Sequence, residues 1–129
     1  MARPTILVVD DSPTSIMWQQ MILGDEPYEI ITATDGEAGV RAACAKHPDL
    51  ILMEVAMPRM NGPEACRAIR ANPATRNVPI LMVTTHSELS EMEASFASGC
   101  NEYITKPITR SELLAKVHGY LPPSAPEAA

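Results

Sequence analysis

The sequence predicts a doubly wound α/β sandwich, a (βα)5 chain whose central five-stranded parallel sheet lies between two layers of helices. Short aliphatic runs alternate with longer helical segments five times along the chain. Two of the runs, Leu50-Ile51-Leu52-Met53 and Ile80-Leu81-Met82-Val83, are apolar at every position, as strands covered on both faces must be. Carboxylates follow the first and third runs, at the sheet edge where open α/β sheets build their sites.

Strands are expected at 5–9, 28–33, 49–54, 79–84 and 101–105, and helices at 13–23, 36–47, 63–71, 88–97 and 109–121. The first strand, Ile6-Leu7-Val8-Val9, ends in Asp10 and Asp11. Ser12 is a candidate N-cap, with Pro13 at the first helical position. In the first helix Trp18 and Ile22 stand four residues apart and are expected to pack into the core, which turns Ile16 and Met17 outward beside the acids. Asp35-Gly36-Glu37 opens the second helix and Asn61-Gly62-Pro63-Glu64 the third. Arg67, Arg70 and Arg76 read as a solvated helix face. Gly99 ends the fourth helix and turns the chain into the last strand. The last helix places Leu113, Leu114, Val117 and Leu121 at core-facing spacing. Beyond it, Pro-Pro-Ser-Ala-Pro-Glu-Ala-Ala reads as a flexible tail over 122–129, so residues 1–121 form a single domain.

With 129 residues and 46% hydrophobic side chains, the chain is long enough for one well-filled core. A formal charge of −6 and scattered Lys and Arg argue against nucleic-acid binding, which needs a basic face. The apolar runs are strand-length, so neither a signal peptide nor a membrane span is expected and the cytoplasm is the default location. Cys44, Cys66 and Cys100 are odd in number and lack metal-ligand spacing, as in a reducing compartment. The chain contains neither Gly-x-Gly-x-x-Gly nor Gly-x-x-x-x-Gly-Lys-Ser/Thr, which sets aside a nucleotide- or flavin-binding function.

The chemistry gathers at strand ends. Asp10 and Asp11 end the first strand, Glu54 the third, Thr84 the fourth and Lys106, before Pro107, the fifth. Two carboxylates about 4 Å apart repel by roughly 4 kcal/mol at an effective dielectric near 20. Three acids at one rim therefore call for a cation, and both Lys106 and a bound Mg²⁺ answer that need.

These residues stand in the runs Val8-Val9-Asp10-Asp11-Ser12, Leu52-Met53-Glu54-Val55-Ala56-Met57-Pro58-Arg59-Met60-Asn61-Gly62, Val83-Thr84-Thr85 and Tyr103-Ile104-Thr105-Lys106-Pro107-Ile108. In this order they resemble the response regulator receiver domains of two-component signalling, above all stand-alone CheY-like receivers, over about residues 4–121. The resemblance implies a flavodoxin-like fold and a signalling role in a phosphorelay rather than an enzyme's. It implies Mg²⁺ held by Asp10, Asp11, Glu54 and the backbone carbonyl of Ala56, phosphoryl contacts from Thr84 and Lys106, a switch made by Thr84 and Tyr103, and a cis Lys106–Pro107 bond. It further implies a sensor histidine kinase or phosphotransfer partner near Ile16 and Met17. An output partner is implied on the surface of the fourth helix, fifth strand and fifth helix around Tyr103, with the domain a monomer or weak dimer.

The departure from the pattern is Glu54, where the family has a phosphoaccepting aspartate. The longer arm extends the carboxylate by about 1.5 Å, and a misplacement of about 1 Å can cost ~10²-fold in an in-line attack. Normal phosphorylation is therefore expected to be blocked and partly mimicked, with Mg²⁺ affinity weakened by crowding. The alternative is a phosphorylation-independent pseudo-receiver in which Glu54 and Lys106 form a structural salt bridge. Thr85 adds bulk where the family has a small residue, and His86 is expected to be exposed.

Overall fold

The computed structural model describes residues 3–85 and 88–121; His86 and the 122–129 tail lie outside the described residues. The chain alternates β1 (Thr5–Val9), α1 (Pro13–Leu23), β2 (Glu29–Ala33), α2 (Gly36–Lys46), β3 (Leu50–Met53), α3 (Gly62–Ala71), β4 (Ile80–Thr84), α4 (Leu89–Ala97), β5 (Glu102–Thr105) and α5 (Arg110–His118). The strands form one sheet in the order β2-β1-β3-β4-β5, parallel throughout. This is the doubly wound fold read from the sequence.

Strand alternation divides the core in two. Ile6, Val8, Leu50, Leu52, Leu81 and Val83 face α1 and α5, where Ile22, Leu113 and Val117 meet them. Leu7, Val9, Ile51, Met53, Ile80 and Met82 face the other way, toward Ala43 of α2 and Ala65 and Ile69 of α3. Because β1, β3 and β4 are covered on both faces, every residue of β3 and β4 is buried.

Capping sets where the helices begin. The Ser12 side chain accepts from the Ser15 N–H, with Pro13 next in line. Asn61 and Glu64 form a reciprocal capping box at the start of α3. Gly99 adopts φ of 108° to leave α4, a conformation costly for any residue with a Cβ.

Candidate functional site

Strand order reverses between β1 and β3, so β2 lies outside one and β4 outside the other. At that crevice Val9 is paired with Met53, which places Asp10 beside Glu54, each one residue past its strand. The Glu54 N–H extends the ladder by donating to the Val9 carbonyl at 2.9 Å. The β4–β5 pair brings in Lys106, whose N–H donates to the Thr84 carbonyl at 2.7 Å. Gly62 lets the loop after β3 close tightly, since a Cβ there would collide with the Glu54 carbonyl.

Lys106 is the hub. Its Nζ donates to Oδ2 of Asp10 at 3.0 Å and to Oε1 of Glu54 at 2.9 Å. Asp10 is 1% exposed, Glu54 7% and the Lys106 side chain 16%. The remaining oxygens are also engaged. Asp10 Oδ1 accepts the Ser12 N–H at 2.9 Å, and Oδ2 accepts the Ser15 hydroxyl at 2.7 Å. Glu54 Oε2 bends back to accept the Val55 N–H at 2.6 Å and the Ala56 N–H at 3.3 Å. Burial works to lower the Lys106 pKa, but the hydrogen bonds to Glu54 and Asp10 and the negative charges of both carboxylates together outweigh it and hold the ammonium above its ordinary value.

Thr84 is buried at the end of β4 and Thr85 is exposed. Tyr103 is half-buried on β5, its ring 6.4 Å from that of Phe96 on α4. Burial, and after it the nearby carboxylates of Glu91 and Glu54, push the Tyr103 phenol up. The Lys106–Pro107 bond is cis.

The expected Mg²⁺ ligands do not assemble as a set. Among the described residues, no group of three or more acidic, histidine or cysteine side chains is placed to hold a metal ion. The reason is local: the oxygens of Asp10 and Glu54 already face Lys106, backbone N–H groups and Ser15. Asp11 is exposed and instead lines, with Ala56 and Asn61, an open cavity of about 470 Å³.

A family model described as the response regulator receiver domain matches residues 6–118. The chain belongs to the response regulator receiver family. It is 33% identical to the protein PilH of Pseudomonas aeruginosa, over 94% of this chain and 98% of PilH. It is 39% identical to the sensor protein GacS of Pseudomonas syringae pv. syringae, over 85% of this chain but only 12% of GacS, so the chain is far shorter than some relatives it matches. The solved receiver domain of the sensor histidine kinase PA1611 from Pseudomonas aeruginosa superposes with a TM-score of 0.87 at 32% identity, covering 93% of this chain and 98% of that one. That structure holds a magnesium ion coordinated in its active site cleft.

Around the site of this receiver domain, the structure corrects the reading of α1. Ile16 is buried in the core at 8% exposure and does not face a partner. Trp18 is 44% exposed rather than packed inside, and its indole N–H donates to the Ile108 carbonyl at 2.9 Å. Ile16, Gln19, Ile22 and Leu23 form the buried stripe. Met17, as expected, is exposed, and Met21 joins it. Arg70 is corrected as well: it is half-buried and donates to the carbonyls of Gly99, Arg76 and Val78 and to Asn101. Sequence reasoning missed Ser15 and Gln19. The Gln19 amide donates to the Ser15 hydroxyl at 3.2 Å, and that hydroxyl donates to Asp10. Their signal was the four-residue spacing of Ser15 and Gln19, which places both on one face of the helix.

Among the described residues no helix is long and apolar enough to cross a membrane.

Proposed function

We propose that this two-component receiver domain transmits its state through protein contacts in the cytoplasm, with Glu54 standing where relatives carry the phosphoaccepting aspartate. The observation that carries this reading is the engagement of both Glu54 oxygens, Oε1 by Lys106 and Oε2 by the Val55 and Ala56 N–H groups. A carboxylate attacks phosphorus with a free lone pair aimed in line at about 3–3.5 Å. Here the nucleophilic oxygens point into the protein's own donors, and the carboxylate lies one methylene further along than an aspartate's. Normal phosphorylation is blocked, and the domain carries out no reaction of its own.

The single negative charge that Glu54 presents to Lys106 imitates part of a phosphoryl group, which carries nearly two charges and three oxygens. The pseudo-receiver reading, with the pair as a structural salt bridge, is favoured by one further fact: Lys106 is shared with Asp10. A kinase or phosphotransfer partner would dock on the apolar stripe of Met17, Trp18 and Met21, which replaces the Ile16–Met17 pair. An output partner would meet α4, β5 and α5 around Tyr103, where Leu89 and Phe96 are exposed. Neither surface is basic enough for nucleic acid. The domain would act as a monomer or weak dimer.

The test is incubation with a small phosphodonor and Mg²⁺, read by intact mass. The wild-type chain should remain unmodified, whereas Glu54→Asp should gain one phosphoryl group. Stable, stoichiometric phosphorylation of Glu54 would overturn the proposal. Glu54→Gln separates the two readings: loss of output-partner affinity in a folded domain supports mimicry, and loss of stability with affinity intact supports the salt bridge.

A further inference from the structure

We infer that the Lys106 ammonium is the resident cation of this pocket, and that Glu54, by holding it there, closes the pocket to divalent ions. This rests on the reading that Glu54 occupies the acceptor place. Three acids and one lysine meet at this rim, leaving two negative charges uncompensated by Lys106, so the site attracts cations. Attraction is not coordination, however. A divalent ion reaching Asp10 and Glu54 must displace Lys106 from Oδ2 and Oε1 and compete with the Ser12, Val55 and Ala56 N–H groups. Mg²⁺ demands near-octahedral oxygens and gives up water reluctantly, so it is poorly suited to that exchange. The ammonium is tethered and needs no such geometry.

The extra methylene of Glu54 decides the matter. It lets one oxygen reach Lys106 while the other turns back to the N–H groups of its own loop. The carboxylate left over, on Asp11, is exposed and faces the open cavity beside Ala56. One carboxylate there leaves an ion largely hydrated and weakly held.

Mn²⁺ binding to the full chain, followed by electron paramagnetic resonance, and Mg²⁺ binding by titration calorimetry test this. Wild-type protein and Lys106→Arg, which keeps the charge, should both bind weakly. Lys106→Gln frees oxygens on two acids, and Glu54→Asp withdraws the bent carboxylate. Each should tighten Mn²⁺ by about ten-fold or more, and adding Asp11→Asn should reverse that gain. If Lys106→Gln fails to fold, Glu54→Asp decides alone. Wild-type binding as tight as that of Glu54→Asp overturns the inference. If such a wild-type chain stays unmodified by phosphodonor, the receiver reading survives the loss. Phosphorylation of Glu54 in a chain that binds divalent ions weakly would instead sink the blocked-acceptor reading alone.

Discussion

The two rims of the sheet are held by different physics. At the carboxyl rim, one lysine bridges two buried carboxylates and a third acid stands exposed nearby. At the amino rim, Arg70 donates to carbonyls at 3.0 Å (Gly99), 3.0 Å (Arg76) and 2.6 Å (Val78), and to Asn101 Oδ1 at 2.9 Å. The same Asn101 oxygen accepts the Ile80 N–H, and Asp49 accepts the Thr5 N–H at 2.8 Å. The amino rim is thus stapled mainly through neutral carbonyl and amide acceptors, with the Asp49 carboxylate as the exception. The carboxyl rim holds buried charge that depends on a single cation, so a change of one residue there alters both stability and ligand chemistry. Charge imbalance is concentrated at the rim where the family's function lies.

The largest effect should come from removing that cation. Lys106→Met leaves buried carboxylates without their partner and should cost about 3–5 kcal/mol in urea unfolding. Arg70→Ala at the other rim should cost less, roughly 1–3 kcal/mol, because its acceptors lie close enough to the surface for water to replace part of the loss. Arg70→Ala should also leave Mn²⁺ binding unchanged, while Lys106 variants alter it. Equal losses at both rims would erase the contrast. Gly99→Ala, at φ of 108° and against the Arg70 side chain, should cost about 1–2 kcal/mol.

The pH dependence sharpens the comparison. The Lys106 pKa is raised in the folded state, because the opposing effect of burial is exceeded by the hydrogen bonds to Glu54 and Asp10 and the charges of those carboxylates taken together. Its contribution is therefore complete below the unfolded value and is lost as pH rises through the folded one. Stability should hold through neutral pH and fall above the ordinary lysine value of 10.5, with Lys106→Met removing that alkaline fall. Thiol chemistry offers the smallest effect. Burial, and after it the proximity of Cys66, pushes the Cys100 thiol up to about 12, and burial raises Cys66 as well. Iodoacetamide at mildly alkaline pH should modify Cys44 in the native chain and spare the other two, as peptide mass mapping would show.

Most of the fold was legible because its signals are local. The continuous apolar runs of β3 and β4, the Ser12–Pro13 cap and the Asn61–Glu64 box each act within a few residues. The meeting of Asp10, Glu54 and Lys106 followed from strand ends alone. The orientation of α1 did not, because Ile16, Met17, Trp18, Met21, Ile22 and Leu23 surround the helix with apolar side chains. No single face is marked, and the indole contact with Ile108 that fixes Trp18 is a long-range one. Arg70 escaped for a related reason: its acceptors are mostly backbone carbonyls, which leave no trace in the sequence. The donors that engage Asp10 and Glu54 besides Lys106 were not legible, because spacing shows which acids meet, not which N–H groups and hydroxyls reach them.

A double-mutant cycle between Glu54 and Lys106 addresses the closed pocket most directly. Unfolding free energies of the wild type, Glu54→Gln, Lys106→Met and the double variant should give a coupling energy of roughly 1–3 kcal/mol. Additive effects, with coupling near zero, would mean that the two side chains do not hold each other, and the closed, cation-bearing pocket described for this receiver would be wrong.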